Sequence, residues 1–201
     1  MRKVLFMKGS ELRLIEYMEG SKKRFIIPVY QRNYDWKIEN CKQLYDDLIQ
    51  VIKNNSKTHF FGSIVSVYEP SGRNTEFLII DGQQRLTTMS LLFLALYNLL
   101  EEKIIISEDE SLKDQIYEDF LVDKYQPQEK RMKLKPIKND QKAFSKLFNS
   151  KDDYIKDSNL TINYSYFYER IQKQEITIDE LFDAICRLEI INITLNNEDN
   201  P

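Results

Sequence analysis

With 201 residues, 42% of them hydrophobic and 12% aromatic, the chain has the apolar mass to fold around a core, which excludes global disorder. Its formal net charge of -3 carries no overall basic signature for nucleic-acid binding. His59 is the only histidine, and Cys41 and Cys186 are the only cysteines, far apart, which argues against a zinc site or a His-dependent nuclease centre. The two thiols read as reduced core cysteines of a cytoplasmic protein. Met1 to Phe6 is too short for a signal peptide and lacks a cleavage pattern, and no stretch is long and apolar enough to span a membrane.

In chain order, residues 10–19 predict a short amphipathic helix with Ser10 as N-cap and Ile15 and Met18 facing inward. Phe25-Ile26-Ile27 predicts a strand that Pro28 confines to an edge or closes. The stretch Tyr30-Gln31-Arg32 then Tyr34-Asp35-Trp36 is dense in hydrogen-bonding and aromatic groups. It reads either as a loop packing its rings on the core, with Asp35 capping the next helix, or as part of a site. Residues 37–53 predict a helix, with Cys41, Leu44, Leu48 and Ile52 on its inner face. Residues 59–68 predict a strand with Phe61, Ile64, Val65 and Val67 in the core, and Gly62 marks a bulge or a close approach to the backbone. A hairpin-like loop over Glu69 to Glu76 leads to a buried strand at Phe77-Leu78-Ile79-Ile80.

That strand ends in Asp81-Gly82-Gln83-Gln84-Arg85, and an apolar helix follows from Leu86 to Leu100. A helix apolar nearly all round belongs in a core. Its first turn leaves N–H groups unpaired and carries the positive end of the macrodipole, so the corner favours an anion. Arg85 offers a planar fork for phosphate or carboxylate, and Gly82 permits a left-handed turn or a close ligand. The same residues also suit a satisfied polar turn, with Asp81 capping the helix and Arg85 paired to a carboxylate elsewhere.

Beyond the corner, Glu101 to Asp123 holds nine acidic and two basic residues around a helix at 111–122. Glu129 to Lys142 reverses this, six basic against two acidic, and reads as a DNA-phosphate contact, a solvated face, or a partner for the acidic segment. Helices follow at 140–148 and 160–173, the second carrying Tyr164, Tyr166, Phe167 and Tyr168 as packing rings. Thr177 to Glu180 is a capping box opening a helix to about Leu188, and residues 190–195 predict a final strand before a polar tail. No Walker-type or Rossmann phosphate loop is present, and a single histidine allows no Ser–His or Cys–His pair. Any chemistry at the corner would therefore rely on carboxylate, guanidinium, backbone amides and a metal ion.

The stretch Ile80 to Thr87, read IDGQQRLT, resembles the signature of a prokaryotic family with a ParB-like fold, the GmrS-like N-terminal part of GmrSD-type modification-dependent restriction systems. Residues 27–36, IPVYQRNYDW, and 60–65, FFGSIV, match further motifs of that family in the same order. The resemblance implies an α/β (α+β) fold, a ParB/sulfiredoxin-like small mixed sheet with packed helices over residues 1–105, followed by a mostly helical extension over 106–201. It also implies a domain that binds and hydrolyses nucleoside triphosphates in defence against phage DNA.

In that reading Asp81, Arg85, Gln83 and Gln84 are catalytic, and Tyr30, Gln31, Arg32, Gly82, Thr87 and Thr88 bind the nucleotide. Asp81 would also hold Mg²⁺ or orient the attacking water. The implied partners are the nucleoside triphosphate and a nuclease domain or subunit outside this chain; DNA and a homo-oligomer stay open. Members of the family continue past a strand like 190–195, so the domain is expected to be truncated here and to show no DNA cleavage by itself. A non-catalytic ParB-like module binding DNA or nucleotide, and a fragment that only supports a fold, are the alternatives.

Overall fold

The computed structural model describes residues 5–71 and 74–197. Its elements are β1 (Leu5–Arg13), α1 (Leu14–Met18), β2 (Lys23–Ile26), α2 (Ile38–Lys53), β3 (His59–Ser71), β4 (Asn74–Asp81), α3 (Gln83–Glu101), α4 (Leu112–Ile116), β5 (Leu134–Lys135), α5 (Lys138–Lys146), α6 (Asn159–Gln172), α7 (Ile178–Cys186) and β6 (Leu188–Asn197). The strands form one mixed sheet in the order β1-β6-β3-β4-β2-β5. β3 and β4 are an antiparallel pair, β2 runs parallel to both β4 and β5, and β6 lies parallel to β3 and antiparallel to β1. The fold is mixed α/β, as the resemblance implies.

The core forms on one face of this sheet. Phe25, Ile64, Ser66, Ile79 and Ile190 point into it from four strands and are buried, with Ile64, Ser66, Ile79 and Ile190 fully so. Their alternating neighbours Ile26, Val65, Val67 and Leu78 stay half-buried and lie outside the core cluster. Thus Val65 and Val67 are not in the core; the period of two gives that role to Ile64 and Ser66, while Phe61 packs half-buried against it. β4 likewise buries only Ile79, so the Phe77 to Ile80 strand is one-sided rather than enclosed.

Helix α3 is the hydrophobic axis of the domain, buried on nearly every side from Leu86 to Leu96. Around it pack α6, through Tyr164, Phe167 and Ile171, and the turn after α4, where Phe93 stacks on Phe120 at 4.3 Å. The α4 helix runs on into a single wider turn over Tyr117–Leu121, so the helix expected at 111–122 is present in two geometries. The α6 rings are packing groups, as their spacing predicts. Cys41 is buried and Cys186 half-buried, both free; burial pushes their thiols up to about 12 and about 11, the opposite of a reactive thiolate.

Two differences from the sequence reading have one cause. Residues 10–13 are strand, not the start of a helix, and Ser10 pairs with Asn192 instead of capping; only Leu14–Met18 is helical. Glu69–Ser71 and Asn74–Glu76 are strand rather than loop, because β3 and β4 remain paired out to Ser71 and Asn74. In both places a partner strand fixes the backbone that local propensity leaves undecided. The second half also adds more sheet than a helical extension suggests: β5 pairs with β2, and β6 enters between β1 and β3. The tail expected from Asn196 to Pro201 lies outside the described residues beyond Asn197.

Lys133, in the basic stretch, is withdrawn from the surface. It is 1% exposed, and its ammonium donates to the carbonyls of Gly20 and Asp119, the latter in the acidic segment. Burial lowers it to about 8, against the attraction of Asp119 and Asp123. Below that pH folded and unfolded states both hold the proton; between about 8 and the ordinary lysine value near 10.4 only the unfolded state does, so stability rises with pH. The difference in unfolding free energy between the wild type and Lys133→Met should therefore shift in favour of the wild type from pH 8 to pH 10, read by urea denaturation. A difference that stays flat would show that Lys133 titrates normally.

Candidate active site at the strand-to-helix corner

The corner is built by Gly82. It takes a left-handed conformation, φ 89°, and serves as the N-cap of α3 without any side-chain cap. A Cβ there would come 3.0 Å from both the Ser63 carbonyl and Ile64 Cγ1, so a side chain would press on β3 as well as take an unfavourable positive φ. The first intrahelical bond runs from Leu86 N to Gly82 O, which leaves the N–H groups of Gln83, Gln84 and Arg85 without helical partners. The helix thus begins three residues earlier than its apolar run, and the corner is its first turn.

A cleft of about 560 Å³ opens there, lined by Gln31, Arg32, Trp36, Asp81, Gly82, Gln83, Gln84 and Arg85. The structure therefore brings the YQR stretch and the DGQQR stretch to one place. Asp81 and Arg32 are exposed, and Arg85 is half-buried. Among the described residues neither Asp81 nor Arg85 makes an ion pair, so the paired-turn alternative is not what forms. The Arg85 guanidinium lies along β3, with Nη1 3.5 Å from the Ser63 carbonyl. Gly62, φ 130°, makes room for it: a Cβ at that position would sit 2.6 Å from Arg85 Nε.

Not every predicted site residue faces the cleft. Tyr30 is 69% exposed and lies outside its lining. Thr87 and Thr88 belong to the second turn of α3 and are buried, and the Thr88 hydroxyl is 2.7 Å from the Tyr34 hydroxyl in the core. Neither is among the residues that line the cleft. Gln84 is a tether: its Nε2 donates to the Asn33 carbonyl at 3.1 Å, and its Oε1 accepts from Asp35 N and Trp36 N at 2.9 and 3.2 Å. Asp35 accordingly does not cap α2, whose N-cap is Lys37. Gln83 donates to the Arg32 carbonyl at 3.2 Å, while its buried Oε1 has no partner among protein groups. Gln31 is fixed through Nε2 to the Ile80 carbonyl at 2.8 Å.

The cleft loop is held from the other side as well. Asp140 accepts from Tyr34 N at 2.6 Å, and Asn159 and Asn163 donate to the backbone of Tyr34 and Trp36. Burial raises Asp140 above the ordinary carboxylate range, opposed by that Tyr34 N–H, and burial also drives the Tyr34 hydroxyl upward. Sequence reading does not single these residues out. The available signal was a polar residue at a core position: Asn163 sits between Leu160 and Phe167 on the buried face of α6.

These features define a mixed α/β domain with a polar, arginine-lined cleft where a strand passes into a buried helix. Residues 14–201 match the family described as the N-terminal domain of the GmrSD restriction endonuclease, and the chain belongs to that family. No curated protein matches it. Among the described residues, no helix is long and apolar enough to cross a membrane.

Replacing Gln84 tests its role as a tether. Gln84→Ala strips partners from two backbone N–H groups and one carbonyl, and should lower the unfolding free energy by about 1–3 kcal/mol, the cost of stranding buried polar groups. Thermal or urea denaturation reads this directly. A variant as stable as the wild type would return Gln84 to the list of groups free to act on a ligand.

Proposed function

We propose that the cleft binds a nucleoside triphosphate and hydrolyses it, and that this turnover serves the restriction of phage DNA by a modification-dependent system whose nuclease is supplied elsewhere. The observation that carries this reading is the meeting of Arg32 and Arg85 in one cleft with the unpaired N–H groups of α3's first turn. Two guanidinium groups and a helix N-terminus are a strong match for the charge of a triphosphate, and a poor match for an uncharged ligand.

Roles follow from position. The Arg85 guanidinium, seated against Gly62 and Ser63, supports the charge that builds on the transferring phosphoryl oxygens. Arg32, exposed at the rim, engages the phosphates on entry. Asp81, the exposed carboxylate of the lining, orients water for in-line attack on the γ-phosphorus. The water oxygen bonds to phosphorus as the bond to the β-phosphate oxygen breaks, yielding nucleoside diphosphate and phosphate.

Among the described residues no group of three His, Cys, Asp or Glu side chains could hold a metal. A single carboxylate, Asp81, together with the unpartnered Gln83 Oε1 fits Mg²⁺ carried mainly by the triphosphate's own oxygens and water. Bound there, Mg²⁺ would neutralise charge on the β- and γ-phosphates.

Phosphate release from NTP and Mg²⁺ by the purified chain tests the proposal. Arg85→Ala should slow turnover by about 10²–10³-fold, the scale for removing one preorganised donor. Arg85→Lys should not restore it, since the ammonium keeps the charge and loses the planar fork. Asp81→Asn should abolish turnover and keep nucleotide binding. Nucleotide binding with no turnover in the wild type would leave a non-catalytic nucleotide module. Unchanged turnover per folded molecule in Arg85→Ala would end the case for this corner as a catalytic site. Supercoiled plasmid incubated with the chain and Mg²⁺ should remain unnicked, as read on an agarose gel.

A further inference from the structure

We infer that Asn163, on α6, is a positioning residue for the cleft: it sets where the loop bearing Gln31, Arg32 and Trp36 stands relative to the start of α3. The inference rests on the nucleotide reading of the cleft for its kinetic consequence, and on geometry alone for the positioning.

Residues 32–37 have no regular hydrogen-bonded structure, so their place is decided by side chains that reach them from elsewhere. From α3 come the two amides of Gln83 and Gln84. From α6 comes Asn163, which is 0% exposed and more than a hundred residues away in sequence. Its single Nδ2 group donates to the Trp36 carbonyl at 2.8 Å and to the Tyr34 hydroxyl at 2.9 Å. The same hydroxyl is 2.7 Å from Thr88 Oγ1 on α3. Asn163, Tyr34 and Thr88 thus form a buried chain that ties α6 to α3 through the loop, and the loop's exit at Trp36 lines the cleft.

A buried amide in a core of leucine and aromatic rings is costly unless its bonds are made. Here one end of the amide is fully used on the loop, while Oδ1 has no protein partner. An aliphatic side chain would fill the site on α6 without that loss, so packing alone does not account for the residue. The bonds of Nδ2 do.

Because Arg32 and Trp36 ride on the loop while Arg85 and Asp81 do not, loosening the loop should weaken nucleotide binding and spare the chemical step. Binding lost equally from ground and transition states raises KM and leaves kcat in place. A purely supporting role for Asn163 predicts a lower melting temperature with unchanged kcat and KM per folded molecule.

Trp36 is the only tryptophan in the chain, so its fluorescence reports the loop without any nucleotide. In Asn163→Ala and the near-isosteric Asn163→Leu, neither of which can donate to the Trp36 carbonyl, emission should move to the red and acrylamide quenching should increase, with far-UV circular dichroism unchanged. KM for NTP should rise about three- to tenfold, the size of one lost hydrogen bond, with kcat within about twofold. Tyr34→Phe, which keeps the Trp36 bond and breaks the hydroxyl link, should give a smaller change in both. Trp36 emission and quenching identical to wild type in folded Asn163→Leu would overturn the inference. An equal fall in kcat with KM unchanged would overturn its kinetic part. If the wild type neither binds nor turns over NTP, the nucleotide reading fails, and the fluorescence result still decides the positioning.

Discussion

The passage of β4 into α3 through Gly82 is the contact on which the rest of the site depends. With φ at 89° and no room for a Cβ against Ser63 and Ile64, the chain turns from strand to helix while staying pressed on β3. That close approach sets the first turn of a helix buried on nearly every side at the end of a half-exposed strand, with its first N–H groups left without helical partners. It also brings Arg85 onto β3, where Gly62 leaves the space its guanidinium occupies. Gly62 on β3 and Gly82 at the N-cap of α3, both at positive φ, therefore fix one arginine and one helix N-terminus together. Glycine takes the positive φ without strain, and the apolar packing along α3 holds the turn in place, since moving it would displace the core.

A second constraint is the supply of polar partners to an irregular loop. Backbone groups of residues 31–36 cannot use a ladder, and those turned inward must be met by side chains. Glutamines on α3 and asparagines on α6 meet them, with Asp140 from α5. The cleft's outer wall is consequently suspended between helices from both halves of the chain. The helical second half is part of the site's architecture, not an appendage to it.

Much of this was legible in the residues. The 3.6-residue periods of α2, α6 and α7 and the apolar run of α3 are strong local signals, and the corner's polar residues stand out because they interrupt an apolar stretch. The co-location of Gln31 and Arg32 with Asp81 and Arg85 followed from the motif resemblance, and they do line one cleft. What local pattern could not show depends on distant partners. Residues 10–13 look helical until β6 pairs with them from some 180 residues away. Gln84 reads as a reactive amide until the loop carbonyl and N–H groups it binds are in place. Thr87 and Thr88 read as part of the first turn until Gly82 moves the helix start to Gln83, which carries both into the core.

The sheet order has a consequence for how the chain must be made. β6 lies between β1 and β3, bonded to both along most of its length. During synthesis β1 emerges first and has no neighbour to pair with until residues 188–197 follow it out of the ribosome. The helices of the middle can gather around α3 in the meantime, but the sheet stays open by one strand. Its closure is a late, non-local step of the kind that slows folding and leaves strand edges exposed. Arg85 and Gly62 meet on β3, the strand that β6 flanks, so one wall of the cleft is built on the strand that waits longest for its second neighbour.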